Sequence, residues 1–213
     1  IDKPYDSSKP KILFVEGGSQ YDIYAMRSAG IDPATGKEIF IKKNGEYTFN
    51  YDEKERVAVG NTNPILQGSL MNTLRYKGFS ISVATSYTFG SDYFNSTLKN
   101  KVENIDLNYN VDRRVFTDRW KEPGDHTRFL GIGTSSSSSQ YSERFVEKRN
   151  ELYISSIQVM YDFAPKAITR LGLRKLAIGF GLSDIAHIST VKFERGTDYP
   201  YCRGINLIFR PTF

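Results

Sequence analysis

Five stretches of the chain alternate apolar and polar residues with a period of two. Leu66, Gly68, Leu70, Asn72, Leu74 and Tyr76 oppose Gln67, Ser69, Met71, Thr73 and Arg75, which predicts a strand with one oily and one polar face. Lys77-Gly78 then predicts a tight hairpin turn. Beyond it Phe79, Ile81, Val83, Thr85, Tyr87 and Phe89 oppose Ser80, Ser82, Ala84, Ser86 and Thr88. A third stretch sets Tyr153, Ser155, Ile157, Val159, Tyr161 and Phe163 against Ile154, Ser156, Gln158, Met160 and Asp162. The fourth sets Leu176, Ile178, Phe180 and Leu182 against Lys175, Ala177, Gly179, Gly181 and Ser183. The last sets Ile205, Leu207, Phe209, Pro211 and Phe213 against Gly204, Asn206, Ile208, Arg210 and Thr212. No segment carries a convincing amphipathic helical period, so the expectation is an all-β protein.

Alternation fits both a soluble β-sandwich and a membrane barrel, because each buries one face of every strand. The 27 oily-face positions hold no Asp, Glu, Lys or Arg, where a 25% charged chain would place about seven by chance. A sandwich core would exclude charge as well. The opposite face discriminates better: only Arg75, Asp162, Lys175 and Arg210 are charged among its 25 positions, and Ser, Thr, Gly and Ala dominate the rest. A water-facing sandwich surface carries more Lys and Glu. Tyr76, Phe79, Tyr161, Phe163 and Phe213 cluster at one strand end and Tyr87, Phe89 and Tyr153 at the other, the two aromatic girdles that bilayer interfaces select. Connections are lopsided too. Lys77-Gly78 and Ala164 to Leu171 are short, whereas Gly90 to Asn150 and Asp184 to Cys202 are long, as in an outer-membrane barrel.

Composition narrows the functions. The 213 residues carry 29 Lys and Arg against 24 Asp and Glu, a net charge of +5, without a run of five like charges, which argues against nucleic acid. No apolar run approaches the ~20 residues of a transmembrane helix. Ile1 to Pro10 has neither the basic nor the apolar region of a secretory signal, so the chain reads as mature or mid-protein. A single Cys202 makes no internal disulfide, and with only His126 and His187 no zinc motif or catalytic constellation is built. No cofactor is expected.

Several long strings together resemble one family. VEGGSQYDIYAMRSAGIDPATGKEIF (Val15 to Phe40), VGNTNP (Val59 to Pro64), YKGFS (Tyr76 to Ser80), YNVDRRVFTDRWKEPGD (Tyr109 to Asp125) and ISTVKFERGTDYP (Ile188 to Pro200) resemble the C-terminal barrel of the SusC/RagA family. These are TonB-linked (TonB-dependent) outer-membrane importers of Bacteroidetes, and the resemblance runs from about Lys11 to Phe213. It implies an antiparallel transmembrane β-barrel of 22 strands with an N-terminal plug, of which this chain would be the last five or so strands with long extracellular loops. Five strands cannot close such a barrel. Plug, TonB box and signal peptide are expected upstream.

On that footing the chain divides into an extracellular loop region (1–64), a hairpin (65–91), a long extracellular loop (92–150), a second hairpin (151–184), a further extracellular loop (185–202) and a terminal strand (203–213). The resemblance implies active import of a nutrient across the cell outer membrane. Oligosaccharide is the first expectation and oligopeptide the alternative, with a SusD-like surface lipoprotein as lid and the TonB–ExbB–ExbD complex acting through the absent N-terminal part. It also implies that the barrel-assembly machinery reads the terminal strand, where Phe209 and Phe213 would form the assembly signal. A soluble β-sandwich that binds glycans is the other reading. A hydrolase lacks a convergent nucleophile and base, so no enzyme is expected.

Remaining motifs have plain readings beside sharper ones. Asp32-Pro33-Ala34-Thr35-Gly36-Lys37-Glu38 is rich in oxygen but lacks the ligand spacing of a calcium loop, and Asp-Pro with Thr-Gly predicts a hairpin turn. Gly17-Gly18-Ser19 lacks the spacing of a phosphate loop and is expected to be a plain loop. Asp112, Arg113, Arg114 and Trp120 could stack and hydrogen-bond a sugar or touch the lid, while loop packing is the plainer role. Ser135 to Ser139 reads as a loop tip. His126 and His187 are expected in separate loops, with no carboxylate at ligand spacing and a structural role, and Cys202 as a packed thiol at a strand start.

Overall fold

The computed structural model describes residues 15–106, 108–134, 141–169, 172–192 and 203–213. The Ser135 to Ser139 run, Cys202 and most of the string from Ile188 to Pro200 lie outside them. The chain forms two compact units, Ile1–Pro64 with Ser91–Lys148 and Ile65–Gly90 with Arg149–Phe213.

The first unit contains β1 (Asp22–Ala25), β2 (Arg27–Ile31), β3 (Glu38–Ile41), β4 (Tyr47–Thr48) and β5 (Val57–Asn61). β1 pairs with β5, and β2, β3 and β4 form a small antiparallel meander. The expected turn between β2 and β3 is present. Asp32 accepts hydrogen bonds from the Ala34 N–H (3.1 Å) and the Thr35 hydroxyl (2.6 Å), while Gly36, at φ +68°, closes the loop onto the Asp32 carbonyl. Gly17-Gly18-Ser19 is a turn, also as expected.

The same unit holds two short helices, α1 (Ser96–Val102) and α2 (Arg114–Thr117). Asn95 caps α1 by accepting from the Leu98 N–H at 3.0 Å. Leu98 and Val102, one turn apart, enter a core with Ile23, Phe94, Phe129 and Phe145. Seven residues are too few for a periodic signal to stand out along a sequence, which is why no helix was expected here.

The second unit is built on β6 (Leu66–Tyr76), β7 (Phe79–Phe94), β8 (Val146–Asp162), β9 (Lys175–Ser189) and β10 (Gly204–Thr212), a sheet in which every strand neighbours the next in sequence. All five predicted strands are present, with their alternation in register. Leu66 faces Phe89, Leu74 faces Ile81, Val159 faces Phe180 and Leu207 faces Phe180 from the other side. Bonds from Asp162 to Gly78 and from Asn95 to Phe145 join β7 to β8 at opposite ends, so this pair also runs antiparallel. Lys77 (φ 45°) and Gly78 (φ 87°) both adopt the left-handed conformation that a two-residue hairpin requires.

Three strands run further than their alternation. β7 continues to Phe94, β8 starts at Val146 and β9 reaches Ser189. Their tips carry charged residues such as Asp92 and Lys148, which pair at 2.8 Å. Pairing continues there without an oily face, so the periodic signal ends before the strand does. His187 consequently lies in β9 and not in a loop. The connection after β8 contains a four-residue helix, α3 (Pro165–Ile168).

Candidate functional site

The wall of the second unit has two unlike faces. Along one, register aligns Tyr76 with Phe79, Leu74 with Ile81 and Asn72 with Val83 across β6 and β7. It aligns Tyr161 with Ile178 and Phe209, Val159 with Phe180 and Leu207, and Ile157 with Leu182 and Ile205 across β8, β9 and β10. Gly68 on this face leaves a slot that the ring of its partner Tyr87 covers. The oily side chains are uncovered: Leu74 is 70% exposed, Leu207 85% and Phe209 65%. A sandwich would bury such residues under a second sheet. Aromatic rings close the face at both levels. Phe79 meets Tyr161 at 4.6 Å and Tyr161 meets Phe163 at 4.9 Å at the short-turn end, and Tyr87 stacks on Phe89 at 6.0 Å at the other.

A bulge marks the upper boundary of the oily face. Pairing of β8 with β9 shifts between Ile154 and Ser156, and Asp184, opposite the shift, has φ 62°. The extra residue reverses the parity of β9, bringing His187 opposite Tyr153 with ring centroids 4.3 Å apart. The Tyr153 hydroxyl donates to Asp184 at 2.5 Å, and His187 Nδ1 stands 3.2 Å from Glu151 Oε1. The neighbour comes from another strand, and spacing along the chain cannot register a bulge that brings two strands' residues together.

Asp112, Arg113, Arg114 and Trp120 do not act as one group. Asp112 accepts from the Arg114 N–H and Nε, both at 2.9 Å, and from Nη2 at 2.7 Å. The Arg114 hydrogen bonds hold the Asp112 carboxyl at a pKa of about 2. Arg113 is exposed at the start of α2. Trp120 is committed elsewhere: its ring lies against Gly36 and Gly131, and its Nε1–H donates to the Pro33 carbonyl at 2.9 Å.

Sequence reasoning overlooked a buried charge cluster in the first unit. Arg144 binds Glu38 at 2.7 Å and Glu103 at 3.0 Å. Burial lowers the pKa of its guanidinium, but the two carboxylates outweigh this and raise it. Glu38 also accepts from the Ser142 hydroxyl, and Glu103 accepts from the Leu130 N–H at 2.9 Å. Arg119 donates to the carbonyls of Leu130, Gly131 and Val102. The group fastens β3, the end of α1 and the loop around Leu130 to one another. Its members are more than sixty residues apart in part, so only charges set among apolar neighbours hinted at it. Beside β2, β3 and β4 an open hollow is lined by Ala29, Ile39, Tyr47, Thr48 and Phe49, with Tyr47 and Phe49 exposed. Among the described residues no group of three or more His, Cys, Asp or Glu could hold a metal ion, and no helix is long and apolar enough to cross a membrane.

No protein-family model matches the chain. TonB-dependent receptor P39 of Formosa agariphila is 25% identical over 189 residues, covering 85% of this chain and 18% of the receptor. In sequence the chain is similar to a TonB-dependent receptor. Among solved structures, the RagAB peptide importer in its open-open state superposes with a TM-score of 0.64 at 17% identity, covering 80% of this chain and 19% of that one. The closed-closed state of the same importer gives 0.65 at 16% identity, covering 88% and 21%. The chain thus spans about a fifth of the length of these relatives. The shared fold is that of part of an antiparallel β-barrel wall. The five strands themselves do not close a barrel. The relatives are receptors and importers rather than enzymes.

Proposed function

We propose that the chain forms part of the wall and outer surface of an energised importer that carries an oligomeric nutrient across the outer membrane. The observation that carries this reading is the oily face itself: continuous through five registered strands, bounded by aromatic rings at both ends and uncovered by protein. The short-turn end is then periplasmic, and the first unit stands outside the cell. There a SusD-like lipoprotein serves as lid, with the exposed Arg113 and the Asp112–Arg114 pair as contacts for lid or ligand. The TonB–ExbB–ExbD complex supplies energy through parts of the receptor beyond this chain. Phe209 and Phe213, both exposed on the lipid side of the terminal strand, serve recognition by the barrel-assembly machinery.

Oligosaccharide is the cargo in the first form of this reading. Oligopeptide is the second, favoured by one observation: the solved structures that superpose are of the RagAB peptide importer and transporter. The deciding experiment deletes the full-length gene in its host and follows uptake of labelled oligosaccharides and oligopeptides, with and without a protonophore. Loss of protonophore-sensitive uptake of one class supports import and names the cargo. Unchanged uptake of both would overturn the reading.

A further inference from the structure

The bulge that ends the oily face also changes what that side of the sheet carries. Tyr153 continues the parity of Ile157 and Val159, so it and its partner His187 stand on the oily side. Glu151, two residues further along β8, faces Ser189 on the same side. Arg149 comes next, with its Nε 3.3 Å from Glu151 Oε2. On β10 the register ends with Gly204 opposite Ser183, and the exposed Arg203 continues the parity of Ile205, next to Asp184 in the register. Charged and aromatic groups thus replace aliphatic ones on this side, at and above the upper aromatic level.

These groups are held in a fixed arrangement. The rings of Tyr153 and His187 lie 4.3 Å apart between centroids, His187 Nδ1 stands 3.2 Å from Glu151 Oε1, and the Tyr153 hydroxyl donates to Asp184 at 2.5 Å. An aromatic pair is flanked by two carboxylates, with one guanidinium at either margin. Arg149 and Arg203 balance Glu151 and Asp184 when His187 is neutral, so charge alone does not select a ligand here. The patch measures about 13 Å along β8, from Arg149 to Tyr153, and about 10 Å across, from β8 to β10. Its area of about 130 Å² is far below the roughly 800 Å² that each partner buries in a stable protein interface. A small headgroup fits it better than a protein does.

We infer that this patch binds the headgroup of a phosphorylated glycolipid of the outer leaflet. The inference rests on the importer reading, under which the oily face meets lipid. Such an amphiphile carries phosphate and sugar above its acyl chains, and the wall presents the matching order on one side. Charged groups and rings come first, and below them Ile157 aligns with Leu182 and Ile205. Aromatic rings at this level lie where headgroups begin. The C–H face of a sugar ring stacks on the Tyr153–His187 pair, and its hydroxyls donate to the carboxylates of Glu151 and Asp184. Arg149 and Arg203 donate to phosphate oxygens, whose geometry suits the paired N–H groups of a guanidinium. A patch without net charge retains the lipid by fit, so a phospholipid that lacks the sugar is the poorer occupant.

The test uses the full-length receptor, stripped of bound lipid by detergent exchange and set in phosphatidylethanolamine nanodiscs. Half of the discs also contain the phosphorylated glycolipid extracted from the host outer membrane. Diethyl pyrocarbonate transfers an ethoxycarbonyl group to an imidazole nitrogen and releases ethanol and carbon dioxide, and mass spectrometry reads the product at each histidine. Glycolipid is expected to slow modification of His187 several-fold and to leave that of the exposed His126 unchanged. Tyr153→Leu combined with Arg149→Gln is expected to retain several-fold less glycolipid than wild type. Where that variant fails to assemble, judged by its heat-modifiable migration, Arg149→Gln alone is read instead. Equal modification of His187 with and without glycolipid would overturn the inference, as would equal retention by wild type and variant. So would equal protection by glucose 1-phosphate, which would assign the patch to a free sugar. Energised uptake by the host is measured in parallel: if it persists while His187 stays unprotected, the headgroup site fails and the importer reading stands.

Discussion

The ring of Trp120 occupies the space where a β-carbon of Gly36 would be, eighty-four residues away in sequence. Gly36 can accept this because it lacks that carbon, and its φ of +68° is one that residues with a β-carbon adopt only at a cost. The contact ties the turn between β2 and β3 to the loop that contains Gly131, whose N–H donates to the Gly36 carbonyl at 3.1 Å. Gly36→Ala is expected to weaken this junction by about 1–3 kcal/mol. Gly133→Ala, at φ +78° with nothing within 4 Å, carries only the backbone cost of about 1–2 kcal/mol. Hydrogen exchange of the Gly131 amide and the Trp120 indole in the purified receptor measures both. Equal exchange in the two variants would mean that the ring contact contributes nothing.

Arg144 is the hub of a buried charge cluster, so its removal leaves Glu38 and Glu103 buried without the cation that both of them bind. Arg144→Ala is expected to destabilise the first unit by about 3–5 kcal/mol, the usual effect of breaking a buried ion pair on one side. Arg128→Ala removes a more exposed pair with Glu147 and should cost no more than about 1 kcal/mol. Limited proteolysis of intact cells reads the difference as cleavage between Lys99 and Arg144.

Acid should loosen the start of α2. The Arg114 hydrogen bonds hold the Asp112 carboxyl near pKa 2, below the value of an unfolded aspartate. A depressed folded pKa contributes stability above the unfolded value and loses it as pH falls through the folded one. The Val115 amide, which donates to the Asp112 carbonyl, should therefore lose protection, beyond the intrinsic pH effect, between about pH 4 and pH 2. Asp112→Asn should show low protection throughout that range.

Arginine placed on the two faces of the wall should have opposite consequences. Leu74→Arg and Val83→Arg put a charge on the lipid side and should lower assembled receptor, since Arg near the bilayer midplane costs about 2–4 kcal/mol. Thr73→Arg and Ser82→Arg, whose hydroxyls meet at 3.0 Å on the inner face, should assemble normally. Receptor abundance in outer-membrane fractions decides, and equal yields would sink the face assignment.

The orientation of the wall can be read by labelling intact cells. Cysteine at the exposed Asn108 in the first unit should react with an impermeant maleimide. Cysteine at Lys166, exposed at the short-turn end, should react only after the outer membrane is permeabilised. The parent protein, which contains Cys202, supplies the background. The reverse pattern would invert the topology.

Alternation made the wall legible from sequence because a strand has a side-chain period of two and one side of it carries no charge. From Leu66 to Phe213 the five strands, the Lys77-Gly78 hairpin, the aromatic levels and the four inner-face charges all followed from that single constraint. Local chemistry likewise determined the Asp32 to Gly36 turn, since its hydrogen bonds close within five residues. Tertiary structure decided everything that depends on partners distant in sequence. The bulge at Asp184 carries His187 to Tyr153 and Glu151, an offset of one residue that leaves no trace in composition. The charged tips of β7, β8 and β9 pair as strands because their neighbours do, after the oily face that signals a strand has ended. Trp120 and Asp112, eight residues apart and similar in promise, diverge because one ring finds Gly36 and one carboxylate finds Arg114. Burial gathers Glu38, Glu103, Arg119 and Arg144 into one cluster, because a charge removed from water must find its counter-charge wherever the chain brings one.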